Sequence, residues 1–162
     1  MFVPFFLNAQ ATAIDELFDK YSGKEGFTSV YISPGMFELI SHVDCDDETV
    51  EIMSSLKCIK ILASEDDCRD TENINFYQEI IDKIPLDEYK ELMVVREKDQ
   101  DLKFLVKEDQ GIITELLLIA GGEDNALISI QGNINLKKIS SLSKSMNVCG
   151  IRHLKLLEDD IF

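Results

Sequence analysis

Residues 91–131, ELMVVREKDQDLKFLVKEDQGIITELLLIAGGEDNALISIQ, decide how this chain folds. Within them apolar residues recur with a period of two. The pattern predicts four strands, over 92–97, 102–107, 112–120 and 126–131. The breaks between them, Lys98–Asp101, Glu108–Gly111 and Gly121–Asn125, are short and polar. Connections of that length require antiparallel neighbours, because a parallel crossover needs roughly a dozen residues or more. Leu102, Phe104 and Val106 alternate with Lys103 and Lys107, which reads as one buried face and one wet face. The stretch 112–120 is apolar on both faces and belongs in the middle of the sheet.

Upstream, Ile14, Leu17, Phe18 and Tyr21 form a helical stripe preceded by Thr12, a residue suited to cap it. Gly23 and Gly26 end that helix, and residues 27–32 read as a strand. Ser33-Pro34 opens a short helix through Phe37 and Ile40. A second short helix carries Ile52 and Met53, and residues 56–63 form another strand. Thr71 is placed to cap a helix with Ile74, Tyr77, Ile80, Ile81 and Ile84, which Pro85 helps to end. Asn135 would cap a last helix with Leu136, Ile139, Leu142 and Met146 on its inner side. The expected fold is α+β: an antiparallel sheet of five to six strands with a C-terminal meander and helices packed on one face. Residues 12–162 would make a single domain, without internal repeat or linker.

Residues 1–11 stand apart. Met1 to Leu7 is apolar, and Ala9-Gln10-Ala11 has the small residues that a signal peptidase accepts. The apolar run is short, and no Lys or Arg precedes it. A remnant of a signal peptide and a short apolar strand are both consistent with it. The helix that begins directly after Ala11 favours the first, which makes the mature chain start at Thr12 and places it in the periplasm or cell envelope.

The chain has 162 residues, of which 45% are hydrophobic and 29% charged, enough for a packed core. A net charge of −15 argues against nucleic acid as the partner, since phosphate backbones would be repelled. The charge is uneven: residues 44–72 hold ten acids and three bases, while residues 133–157 hold five bases and no acid. Two solvated faces explain this, and so would a basic helix docking on an acidic partner.

Motifs for chemistry are scarce. Asp44-x-Asp46-x-Glu48 suggests a calcium loop, yet Thr49 and Ser55 stand where glycine and the bidentate glutamate are needed. Cys45, Cys58, Cys68 and Cys149 have no metal-ligand spacing, and with His42 and His153 they do not compose a zinc site. One cysteine pair could close a disulfide in an oxidising compartment, with Cys45 or Cys68 the better placed; Cys58 reads as a small strand hydrophobe. Gly121-Gly122-Glu123-Asp124 has the letters of a nucleotide-cyclase signature but lies between two strands, where a glycine pair makes a hairpin turn. Ser41, His42 and Asp44 are too close in sequence to converge as a triad. No catalytic, metal or cofactor residues are assigned.

Four stretches resemble a known family: Leu17-Phe18-Asp19-Lys20-Tyr21-Ser22-Gly23-Lys24-Glu25-Gly26-Phe27-Thr28-Ser29-Val30-Tyr31-Ile32-Ser33, Ile59-Lys60-Ile61-Leu62, Tyr89-Lys90-Glu91-Leu92-Met93 and Ile128-Ser129-Ile130-Gln131-Gly132-Asn133-Ile134. They are similar to the domain of unknown function 4252 family of Gram-negative bacteria. The resemblance implies an exported small α+β domain without assigned activity, and so no functional residues to transfer. The expected role is a non-catalytic domain that binds an envelope protein or a ligand through a sheet face or helix rim. The alternative is an enzyme with a carboxylate site in the acidic loops at 44–48 and 65–70, drawing on Asp46, Asp47, Asp66 or Asp67.

Overall fold

A computed structural model of the chain describes residues 12–40, 47–65 and 73–135. The helix before the first strand, α1 (Ala13–Tyr21), begins where a reciprocal capping box satisfies its free amides. The Asp15 amide donates to Thr12 Oγ1 at 3.2 Å, and the Thr12 amide donates to the Asp15 carboxylate at 3.1 Å. The chain then forms β1 (Phe27–Ile32), α2 (Pro34–Ile40), α3 (Asp47–Ser55), β2 (Leu56–Ser64) and α4 (Phe76–Ile80). A 3-10 turn, Leu86–Glu88, leads into β3 (Lys90–Arg96), β4 (Gln100–Asp109), β5 (Ile112–Gly122) and β6 (Ala126–Ile134).

The six strands lie in the order β1-β2-β6-β5-β4-β3, and every neighbouring pair is antiparallel. The meander β3 to β6 is as the periodicity requires, and β5 sits inside the sheet. The loop joining β4 and β5 holds Gln110 and Gly111, both at positive φ (51° and 79°), the condition for a type I′ turn. At the next hairpin only Gly122 has positive φ. Gly121 serves a different need: a Cβ there would lie 2.2 Å from Asn75 Oδ1 and 2.5 Å from the Tyr77 amide nitrogen. The bare glycine lets the start of α4 rest on the sheet.

The helices, expected on one face, divide between two. On one face α1 and α4 contribute Ile14, Leu17, Phe18, Tyr21, Phe76 and Ile80 to a core with Leu62, Leu105, Leu117, Ile119 and Leu127. On the other, Phe37 of α2 and Ile52 and Met53 of α3 join Ile59, Ile61, Leu102, Phe104, Leu116, Leu118 and Ile128. Odd and even positions of β5 thus enter separate cores. The wet face expected for β4 is corrected in the same way. Leu105 is buried there, and so is Lys103, with its ammonium 2.9 Å from Glu91.

Helix α4 starts at Phe76 and is capped by Asn75, not by Thr71, and it ends at Ile80. Asn75 Oδ1 accepts from the Gln78 amide and buried Asn125 Oδ1 from the Phe76 amide, both at 2.9 Å. The leader 1–11, Thr71 itself and the helix expected from Leu136 lie outside the described residues. No helix among the described residues is long and apolar enough to cross a membrane.

Candidate functional site

On the α1/α4 face, the apolar rows of the sheet give way at one end to polar ones. Strand register aligns Tyr31 with Lys60, Lys60 with Ser129, Cys58 with Gln131, Gln131 with Glu115, and Glu115 with Lys107. The register irregularities of β2, β3, β4 and β5 fall at this same end, between Leu56 and Cys58, Glu91 and Met93, Lys107 and Glu108, and Ile113 and Glu115. Bulges re-aim side chains and increase local twist. Here they mark the boundary between the packed sheet and its polar end.

Glu115 is the centre of this end and is only 8% exposed. Its Oε2 accepts from the Tyr89 hydroxyl at 2.8 Å. Its Oε1 accepts from the Ser129 hydroxyl at 3.1 Å and from the Gln131 amide at 3.5 Å. All three donors are neutral. The flanking lysines are engaged elsewhere, Lys60 by Asp15 and Lys107 by Glu88. Burial pushes the Tyr89 phenol well above its ordinary value, and the Glu115 charge adds to that, because a phenolate there would face a carboxylate. In a pH titration followed by tyrosine absorbance, Tyr89 is therefore expected to ionise far above a free phenol. That last step should disappear in Tyr89→Phe, which also loses about 1.5–3 kcal/mol of stability, the range for a hydrogen bond to a charged group.

Beside it, Lys60 ties α1 to the sheet. Its ammonium pairs with Asp15 and lies 5.8 Å from the centres of the Phe18 and Tyr31 rings. Burial alone would raise the Asp15 pKa, but hydrogen bonds from Lys60 and Thr12 outweigh it and hold the carboxyl below its ordinary value. Glu79 of α4 follows the same logic: burial opposes its charge, and Lys20 and Tyr21 overcome it. Carboxylates with depressed folded pKa values stabilise above their ordinary range, and that contribution is lost as pH falls through the folded values. The link between α1 and α4 should therefore weaken below about pH 4. Urea midpoints at neutral and acid pH check this, since Glu79→Gln should show a smaller acid loss than wild type. Equal losses would refute it.

Cys58 is half-buried, and burial raises its thiol pKa, which keeps it protonated near neutrality and lowers its nucleophilicity. Of the carboxylates singled out in the acidic loops, Asp47 is exposed at the start of α3. Glu65 is exposed and accepts from the Thr28 hydroxyl at 3.1 Å. Asp44, Asp46, Asp66, Asp67, Asp70, His42, His153, Cys45, Cys68 and Cys149 lie outside the described residues. No group of three or more metal-ligating side chains converges among the described residues. Glu123 and Asp124 sit in the β5–β6 hairpin, where their amides donate to Asp99 O at 2.8 Å and to Gln100 Oε1 at 2.9 Å.

Sequence reading passed over Glu115, although one signal was present: it is the only charged residue in the apolar run 112–120. No curated protein and no solved structure matches the chain. A family model described as domain of unknown function (DUF4252) matches residues 21–142, which hold all six strands and the polar end but only the last residue of α1. The chain belongs to the DUF4252 family.

Proposed function

We propose that this chain is an exported, non-catalytic domain that binds another protein of the cell envelope. The observation that carries the binding role concerns exposed apolar side chains. The three most exposed large ones among the described residues are Leu39 (67%), Tyr31 (56%) and Met36 (49%), and all belong to β1 or α2. Single exposed apolar residues are ordinary, and Tyr31 lies on the α1/α4 side of the sheet, but Met36 and Leu39 stand three residues apart on α2 at the other side, and such a pair on a highly charged surface marks a contact region. Export is supported by the apolar leader ending Ala9-Gln10-Ala11 and by a capping box that opens α1 at Thr12, the first residue after it.

The test is a pull-down from Gram-negative envelope extracts with the full chain and with a Met36→Ser/Leu39→Ser variant. Both positions are solvent-exposed, so the variant should keep its fold. Recovery of a reproducible partner by wild type, lost in the variant, is the expected result. Failure to recover any partner would overturn the reading. N-terminal sequencing of the chain expressed with its leader should begin at Thr12.

A further inference from the structure

The two edges of the sheet are built differently. β3 carries the devices that prevent an edge strand from pairing with another chain: a bulge at Leu92 and charges at Lys90, Glu91 and Arg96. β1 has none of these. It pairs with β2 in unbroken register from Phe27↔Ser64 to Ile32↔Ile59, and its sequence FTSVYI contains no charge, proline or glycine. Among the described residues no strand pairs with its outer side. An unguarded edge of this kind is a template for strand addition, in which main-chain hydrogen bonds supply affinity and alternating side chains supply selectivity.

From this contrast, and resting on the proposed binding role, we infer that the outer edge of β1 receives an extended, basic segment of the partner as a seventh strand. Charge selects the occupant. A second copy of the chain would bring another net −15 to the same edge. By the Phe27 end the exposed charges are Lys24, Glu25 and Glu65, a net negative set. Val30 and Ile32 adjoin the α2/α3 core, so incoming residues on that face are apolar. On the other face Tyr31 is 56% exposed; Lys60 lies 5.8 Å from its ring centre but is paired with Asp15, so the exposed part of the ring still admits an incoming Lys or Arg. The segment recognised alternates apolar and basic residues.

The experiment uses the full chain and two synthetic peptides at about 1 mM, one alternating Val and Lys and one alternating Val and Glu. Backbone amide exchange is read residue by residue in β1 and β3. The basic peptide should slow exchange of outward β1 amides by roughly tenfold, leave β3 unchanged, and lose its effect in Thr28→Lys, which places a like charge on the edge. Absence of β1 protection, protection by the acidic peptide alone, or protection at β3 would each overturn the inference. So would β1 protection in the free protein that rises with its concentration, which would make a second copy the occupant. Should the pull-down partner bind Thr28→Lys as well as wild type while failing to bind Met36→Ser/Leu39→Ser, strand addition fails and the binding role stands.

Discussion

Gly132→Ala is expected to destabilise the domain by about 3 kcal/mol or more, while Gly111→Ala costs only about 1 kcal/mol. Both glycines have positive φ, 149° and 79°, so both substitutions strain an L-residue. They differ in what surrounds them. A Cβ on Gly111 would meet nothing within 4 Å. A Cβ on Gly132 would lie 2.4 Å from the Ser55 carbonyl oxygen and 2.7 Å from Leu56 Cα. Those atoms belong to the junction where α3 ends and β2 begins, and backbone cannot move aside as a flexible side chain can. To relieve the clash, the α3–β2 junction must lift from β6. That would disturb Met53 and Leu56, both buried in the α2/α3 core. Urea midpoints at constant slope provide the measurement. Equal losses for the two variants would show that local backbone strain, and not the close approach of β2, sets the role of Gly132.

This position also illustrates what the sequence conceals. The period of two in residues 91–131 is a local property, and it was enough to predict the meander, the central place of β5 and the antiparallel order. The stripe Ile14, Leu17, Phe18, Tyr21 was equally readable, because a helix displays its buried face in its own spacing. The packing of a second layer is not local. Lys103 and Lys107 read as a wet face because lysine is seldom buried unless it is paired. Their partners, Glu91 and Glu88, come from β3 and the turn before it. Glu115 was visible as a charge in an apolar strand, but its meaning depends on Tyr89, Ser129 and Gln131, which arrive from a loop and from β6. Bulges leave still less trace, since each inserts one ordinary residue, such as Leu92 or Thr114, into a pattern that looks regular. The asymmetry of the two edges needs the strand order itself, for nothing in FTSVYI says that it lies outermost.

The two-faced sheet makes a strong demand on β5: Leu117→Ala and Leu118→Ala should each cost about 2–5 kcal/mol. Consecutive residues of a strand point to opposite faces, so a sheet covered on one side only would lose heavily at one position and by a few tenths at the other. Here both side chains are fully buried, Leu117 against the α1/α4 core and Leu118 against the α2/α3 core. Leu117 is aligned with Leu105 and Ser129, whereas Leu118 is aligned with Phe104 and Ile128, so the two substitutions empty separate cores. Without shared partners their effects should add, and the double variant would lose about 4–10 kcal/mol. That equals most of the stability of a domain this size, so the double variant should be largely unfolded in buffer. Separate urea midpoints for the single variants decide the matter. A loss below about 1 kcal/mol at either position would mean that one face is not a packed core, and the division of the helices between two layers would have to be given up.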